Sequence, residues 1–271
     1  MRVDLIPQRL LELIKLEARS LVTPNCGFTY AYRKWKAVIS NDRKIRFLGG
    51  DYFYEDRLQP FTLFNYVNEL LCLREIFGFQ GGRVLDIGAN IGNYGYVLMK
   101  LFPGSEVYSF EPNALPFAYL QHNASGISAW RTFNFGVANA EEKVDFYFVP
   151  GKTGQGSIYK ENASLNILNG NAPVSTKVVL QPLKKEFLEQ NCGGGVFDLV
   201  KIDVEGAEMM VVEGLNNVDW KYLYVELSSG REGAKSVGEF MSLLRENQPR
   251  AKVIKSSSNQ YFTDLYVLNE G

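Results

Sequence analysis

The sequence predicts an α/β fold built on a mostly parallel sheet, and three observations carry that prediction. From Arg83 onward, short apolar runs alternate with segments of helical periodicity, the sequence form of repeated βαβ units. The first of these runs, "VLDIGANIGNYG", leaves its strand through Gly88, Gly92 and Gly95, spaced G-x-x-x-G-x-x-G, where open parallel sheets seat their ligands. The chain then closes on two strand-like runs, "AKVIKSS" and "YFTDLYVLNE", joined by Ser258, Asn259 and Gln260. A closing hairpin makes the last strand antiparallel.

Taken in order, residues 1–80 read as an α+β extension. Leu5, Leu10, Leu11, Leu13, Ile14, Leu16 and Leu21 lie close to helical spacing and give one apolar face, to be packed on the core or at a homodimer interface. "KWKAVIS" and "KIRFLGG" alternate around "NDR" and read as a hairpin, and "TLFNYVNELLCLREIFGF" reads as a helix closed by "QGG". Residues 81–271 form the main domain. "RVLDIG" is a strand, "NYGYVLMKLF" a helix, "EVYSFEP" a strand, "LPFAYLQHNAS" a helix and "AWRTFNFGVAN" extended. "KVDFYFVP" and "STKVVLQPL" read as a paired insertion around one long irregular stretch, "GKTGQGSIYKENASLNILNGN", of the kind that serves as a binding loop. "FDLVKIDVE", "AEMMVVEGL" and "YLYVELS" give strand, helix and strand, and "AKSVGEFMSLLREN" the last helix before the hairpin.

Composition excludes several classes of function. The chain has 271 residues, 46% of them hydrophobic, with 29 Lys plus Arg against 30 Asp plus Glu and a formal net charge of -1. Nothing resembles the basic footprint of a nucleic-acid binder. Cys26, Cys72 and Cys192 are odd in number and widely spaced, which reads as reduced thiols and neither a disulfide framework nor a zinc site. Arg2, Asp4, Arg9, Glu12 and Lys15 interrupt any apolar leader, and no stretch approaches a membrane span, so the expectation is a soluble, cytoplasmic protein with no membrane partner.

The glycine turn departs from a dinucleotide fingerprint, because Gly88-Ala89-Asn90 has no second glycine where a pyrophosphate would need one. Gly88 lets the chain turn off the strand, Gly92 lets backbone approach a ligand, and Gly95 lets helix and strand pack tightly. Asp86 at the strand tip, with polar Asn90 and Asn93, suits a ligand bearing cations and donors. The second strand ends in Glu111-Pro112-Asn113, and a carboxylate there can accept from both hydroxyls of a ribose. A cationic end at the first strand and a ribose at the second describe S-adenosylmethionine.

"VLDIGANIGNYG", "VYSFEPNALPFAYLQHN", "LVKIDVEGAEMMVVEGL" and "YLYVEL" together resemble, in order and spacing, the FkbM-type family of S-adenosylmethionine-dependent methyltransferases, over about residues 60 to 230. The resemblance implies the class I methyltransferase (Rossmann-like) fold, a seven-stranded sheet ending in an antiparallel hairpin, and O-methyl transfer to a hydroxyl of a sugar, glycan or secondary metabolite. N-methylation, or cofactor binding without O-methyl transfer, is the alternative. It further implies that Asp86, Gly88, Asn90 and Gly92 line the methionine part of the cofactor, that Glu111 holds the ribose and that Asn134 and Val137 lie near the adenine, with Ala89, Asn93, Pro112, Asn113 and Asp203 also in the cofactor site. One departure stands out: where family members commonly end the insertion in T-L-D, this chain has Gln181-Pro182-Leu183.

A hydroxyl nucleophile must lose its proton. The one histidine, His122, falls in "YLQHN", away from the expected acceptor face, and reads as a surface or adenine-side residue. Lys201, Asp203 and Glu205 recur every second residue and so share a face at the sheet's carboxyl end, and Glu226 ends the neighbouring strand on the face of Tyr222 and Tyr224. These four are the candidate catalytic residues. Either Lys201 neutralises the acids and ties the strand tips together, or the carboxylates act as a base or as a clamp for a divalent metal, which the reading does not favour. Acceptor recognition is assigned to Tyr52, Phe53, Tyr54, Tyr159 and Lys160, outside the common core.

Overall fold

The computed structural model describes residues 43–55, 59–150, 153–164 and 172–270. The apolar N-terminal helix and the strand "KWKAVIS" lie outside the described residues. The hairpin within them is built differently from expectation: β1 (Lys44–Phe47) pairs antiparallel with β2 (Gly50–Phe53) around Leu48 and Gly49, both at positive φ. Two consecutive positive-φ residues are what a tight hairpin turn of matching twist requires. The turn therefore falls six residues later than "NDR".

The main sheet has seven strands in the order β11-β12-β10-β9-β3-β4-β5. Here β3 is Arg83–Ile87, β4 Glu106–Phe110, β5 Trp130–Phe133, β9 Phe197–Ile202, β10 Trp220–Ser228, β11 Ala251–Ser258 and β12 Phe262–Asn269. Only β12 runs against its neighbours; the pairs β4-β5, β3-β4, β3-β9 and β9-β10 are parallel. This is the seven-stranded class I methyltransferase sheet expected from the sequence. A second sheet, ordered β6-β8-β7, joins β6 (Gly136–Val137), β7 (Glu142–Phe148) and β8 (Val174–Gln181), the last two as the expected antiparallel insertion.

Alternation along the strands sorts the core into two layers. Leu85, Ile87, Val200, Ile202 and Val225 face α5 (Lys185–Cys192), α6 (Glu208–Gly214) and α7 (Val237–Asn247), where Leu188, Val211, Val212 and Phe240 complete a buried cluster. The sequence reading assigned no helix over Lys185–Cys192. Val84, Leu199, Tyr224 and Tyr266 face the other way, onto α1 (Gln59–Phe77), α2 (Asn93–Leu101), α3 (Ala114–Ala124) and the hairpin. Leu63, Leu70 and Leu73 of α1 are fully buried there, and the Phe77 ring stacks on Tyr222 at 4.5 Å. The described part of the extension thus shares one core with the sheet.

Tyr52 and Tyr54, expected to recognise an acceptor, are fully buried in this layer. The Tyr52 hydroxyl donates to Ile91 O at 3.2 Å and to Asn93 Oδ1. Their aromatic mass goes to fixing the hairpin on α2, the commonest fate of large apolar rings. His122 is exposed on α3 and meets the Phe53 ring edge-on at 4.1 Å, in keeping with its surface reading.

Candidate active site

β3 delivers Asp86 with no exposed surface. Its Oδ2 accepts from Ser109 Oγ at 3.0 Å, and its Oδ1 lies 3.4 Å from Lys201 Nζ. Lys201, 1% exposed, donates to Gly88 O at 3.0 Å and sits 3.4 Å from Asp203 Oδ2. Burial alone would drive the ammonium to lose its proton, but Asp203, Asp86 and Glu69 outweigh it and its pKa is raised. Burial raises the Asp86 pKa and Lys201 restrains that rise. The pair fastens β3 to β9 beneath the glycine turn.

The turn is cramped as well as left-handed. Gly88 has φ +77°, and a Cβ there would come 1.8 Å from Asp203 O, so no other residue fits. Gly92 has φ +91°, but its bare face meets Leu120 and Trp130, and Gly95 packs on the same indole. The missing side chains at both glycines make room for that packing. Ala89 is buried and Asn90 holds φ 50°. Asn93 is buried, and its amide is occupied by Tyr52 and by Thr62 Oγ1, so it braces the extension.

Glu111 follows β4 and is 6% exposed. Its two oxygens accept backbone N–H groups, Oε2 from Asn90 at 2.9 Å and Oε1 from Asn113 at 2.8 Å. A carboxylate has about four acceptor positions, so each oxygen keeps one. Burial pushes its pKa up to about 7 against the pull of those two bonds. Beside it, Asn113 caps α3 by accepting from Leu115 N, while its buried Nδ2 has no hydrogen-bond partner. Unused acceptors on a buried acid, next to an orphaned buried donor, fit a ribose with a nucleobase. Asn134 donates to the Glu111 and Pro112 carbonyls at 2.9 and 3.1 Å and fixes that loop, and Val137 is buried in β6, 4% exposed.

Beyond the turn, the register lines up polar side chains in two rows on the face covered by α1 and α2. Asp86, Lys201, Tyr224 and Tyr266 are successive cross-strand partners over β3, β9, β10 and β12. One step nearer the strand ends, Glu226 stands opposite Asp264, with Asp203 next to them. The alternation predicted for Lys201, Asp203 and Glu205 stops early, because β9 ends at Ile202 and Glu205 takes φ 52°. Glu205 turns to Arg231, 2.5 Å away, with burial and then Asp203 pushing its pKa up to about 8. Burial, then Asp203 and Glu205, pushes Glu226 up to about 10.

The insertion packs over this loop. Ser157 Oγ donates to Glu205 O at 2.8 Å, and Asn162 donates to Glu205 O and Glu232 O at 3.2 and 3.0 Å while accepting from Glu232 N at 2.9 Å. The stretch expected to be irregular carries a short helix, α4 (Lys160–Ser164), and Ser157 pairs with Tyr147. Tyr159 is half-buried against Gly206 and Gly233, and Lys160 is exposed.

Two groups escaped sequence reasoning. Glu69 on α1 has a shielded Oε1 with no hydrogen-bond partner, and burial holds its carboxyl well above the usual range despite Lys201. Asp264 accepts from the Tyr224 hydroxyl at 2.9 Å. Among the described residues no group of three or more His, Cys, Asp and Glu is placed to hold a metal ion, and no helix is long and apolar enough to cross a membrane.

The chain is similar to several known proteins. The chain is 28% identical over 151 residues to Methyltransferase 1 of Beauveria bassiana, covering 51% of this chain and 59% of that protein. It is 27% identical over 185 residues to the 31-O-demethyl-FK506 methyltransferase FkbM of Streptomyces tacrolimicus, covering 61% and 71%. The N-terminal domain of EvdMO1 with SAH bound superimposes with a TM-score of 0.48 at 11% identity, over 99% of each chain. The methyltransferase FkbM domain profile matches residues 86–250, more than half of the sequence, and the chain therefore belongs to the FkbM methyltransferase family.

Proposed function

We propose that the protein is an S-adenosylmethionine-dependent O-methyltransferase acting on a hydroxyl of a sugar, glycan or secondary metabolite. One observation carries the reading: the glycine turn after β3, Glu111 after β4 and Asp203 after β9 converge at the carboxyl ends of adjacent central strands, where such sheets bind ligands. The family membership supports it, as does the O-demethyl substrate in the name of the Streptomyces tacrolimicus relative.

When bound, the cofactor supplies an electrophilic methyl on a sulfonium. Glu111 accepts the ribose hydroxyls, and the turn at Gly88, Ala89 and Asn90 receives the methionine end. Lys201 holds Asp86 and Asp203 at fixed positions, which keeps the turn and the acceptor side in register. Asp203 is the more open member of the triad, its side chain 23% exposed, and it receives the hydroxyl proton. Holding oxygen and methyl carbon in line in a dry site supplies the larger part of the rate. The test is Asp203→Asn with a methylated acceptor: turnover should fall more than tenfold, about 1.4 kcal/mol of barrier. Retention of turnover within that limit removes Asp203 from the chemistry.

A further inference from the structure

Three carboxylates on the α1 face, Glu69, Glu226 and Asp264, take part in no ion pair among the described residues. Of the nearby cations, Lys201 is engaged by Asp86 and Asp203 and Arg231 by Glu205, while Lys255, whose Nζ donates to Cys72 Sγ at 3.1 Å, is left as the one cation that draws the Asp264 pKa down. Glu226 and Asp264 are direct cross-strand partners, an arrangement that like charges disfavour. Burial raises the pKa of all three and Asp203 raises each further, with Asp264 adding to the rise at Glu69 and Glu226, against the pull of Lys201 and Tyr224 on Glu69 and of Tyr224 and Lys255 on Asp264. The cluster is short of positive charge.

Two buried polar atoms beside these acids lack a hydrogen-bond partner. Glu69 Oε1 has no hydrogen-bond partner, nor has the hydroxyl of Tyr94, 1% exposed, whose electrostatic neighbours are Glu69, Asp86 and Tyr266. Aromatic rings lie alongside. Tyr66 meets Tyr94 edge-on at 5.5 Å, and Tyr224 lies 5.1 Å from Tyr266. Carboxylates among aromatic rings favour an organic ammonium, which offers three donors and is drawn to ring faces. The cofactor's own cations do not meet this need, because strands lie about 4.8 Å apart and β12 is three strands from the turn after β3. The placement does not suit a metal either, since these acids form no metal-holding group.

We infer that the methyl acceptor carries a protonated amine, seated by Glu69, Glu226 and Asp264 beside the hydroxyl that is methylated. The inference rests on the methyltransferase reading and names the substrate class for the same site. Its test uses the full chain saturated with S-adenosylhomocysteine, titrated calorimetrically with glucosamine against glucose and trans-2-aminocyclohexanol against trans-1,2-cyclohexanediol. At least one amine should bind tenfold or more tightly than its neutral counterpart. Glu226→Gln and Asp264→Asn should each abolish that preference while leaving the affinity for S-adenosylhomocysteine within twofold. No tenfold preference in either pair, a preference that survives both variants, or displacement of the amine by magnesium overturns the inference. Failure of S-adenosylhomocysteine itself to bind overturns the methyltransferase reading beneath it, so the two failures are distinguishable.

Discussion

Replacing Lys201 by Met keeps most of the buried stem and removes the charge that Asp86 and Asp203 share. Asp86 has no exposed surface, and its Oδ1 has no hydrogen-bond donor, so the ammonium 3.4 Å away is its compensation on that side. Removing one partner of a buried ion pair costs about 3–5 kcal/mol. In a domain of this size each kcal/mol shifts the melting temperature by roughly 2–4 °C, so Lys201→Met should melt about 10 °C lower. The loss should grow with pH, because Asp86 deprived of Lys201 must bind a proton to stay buried, and protons become scarcer. Adding Asp86→Asn, a neutral group of the same shape, should recover at least half of it. Thermal unfolding followed by circular dichroism at pH 6 and 8 makes the measurement. A loss below about 3 °C, or a double variant less stable than Lys201→Met alone, refutes the tie between β3 and β9.

Three further outcomes are expected. Glu111→Ala removes an acceptor of two ribose hydroxyls, each bond to a charged group worth about 1.5–3 kcal/mol; calorimetry should show S-adenosylmethionine affinity falling about 100-fold or more, and unchanged affinity removes Glu111 from the ribose. Gly88→Ala places a methyl 1.8 Å from Asp203 O at a positive φ; the variant should lose cofactor binding or fail to fold, and a normally binding variant contradicts the described turn. The pH dependence of the ligand-free chain follows from raised carboxyl pKa values. Glu111, pushed up to about 7, and Glu205, pushed up to about 8, keep protons in the folded state that the unfolded chain releases from about 4.5 upward. The folded state therefore binds more protons over that window, and stability falls as pH rises from about 5 to 8. The rise at Glu111 alone, from 4.5 to about 7, corresponds to about 3 kcal/mol. A melting temperature that climbs over this range sinks the assignment of those shifts.

The units β3-α2-β4 and β9-α6-β10 were legible because their periodicity and glycines are local signals. The terminal hairpin was legible for the same reason, with Ser258, Asn259 and Gln260 between two alternating runs. The first hairpin was displaced because its turn is Leu48-Gly49, and a leucine at positive φ lacks the Asn-Gly or Asp-Gly signature that marks such turns. Glu205 shows the limit of counting by twos: the strand ended at Ile202, which no apolar pattern announced. Tyr52 and Tyr54 looked available for ligand contact because aromatic residues serve both core and site, and only packing on α2 decided between them. Glu69 and Asp264 were invisible in a stronger sense. One sits within a helix and the other on the antiparallel strand, and they meet Glu226 only through α1 docking and the β10-β12 register. An acid amid the apolar residues of "NELLCL" was the one available signal.

In the proposed function the turn at Gly88 and the acid Glu111 hold the methyl donor, with Asp203 at the strand end beside it. Calorimetric titration of the purified chain with S-adenosylmethionine, with NAD run in parallel, tests it most directly. Micromolar binding of S-adenosylmethionine and no binding of NAD are expected. Absence of S-adenosylmethionine binding, or equal binding of NAD, contradicts that function.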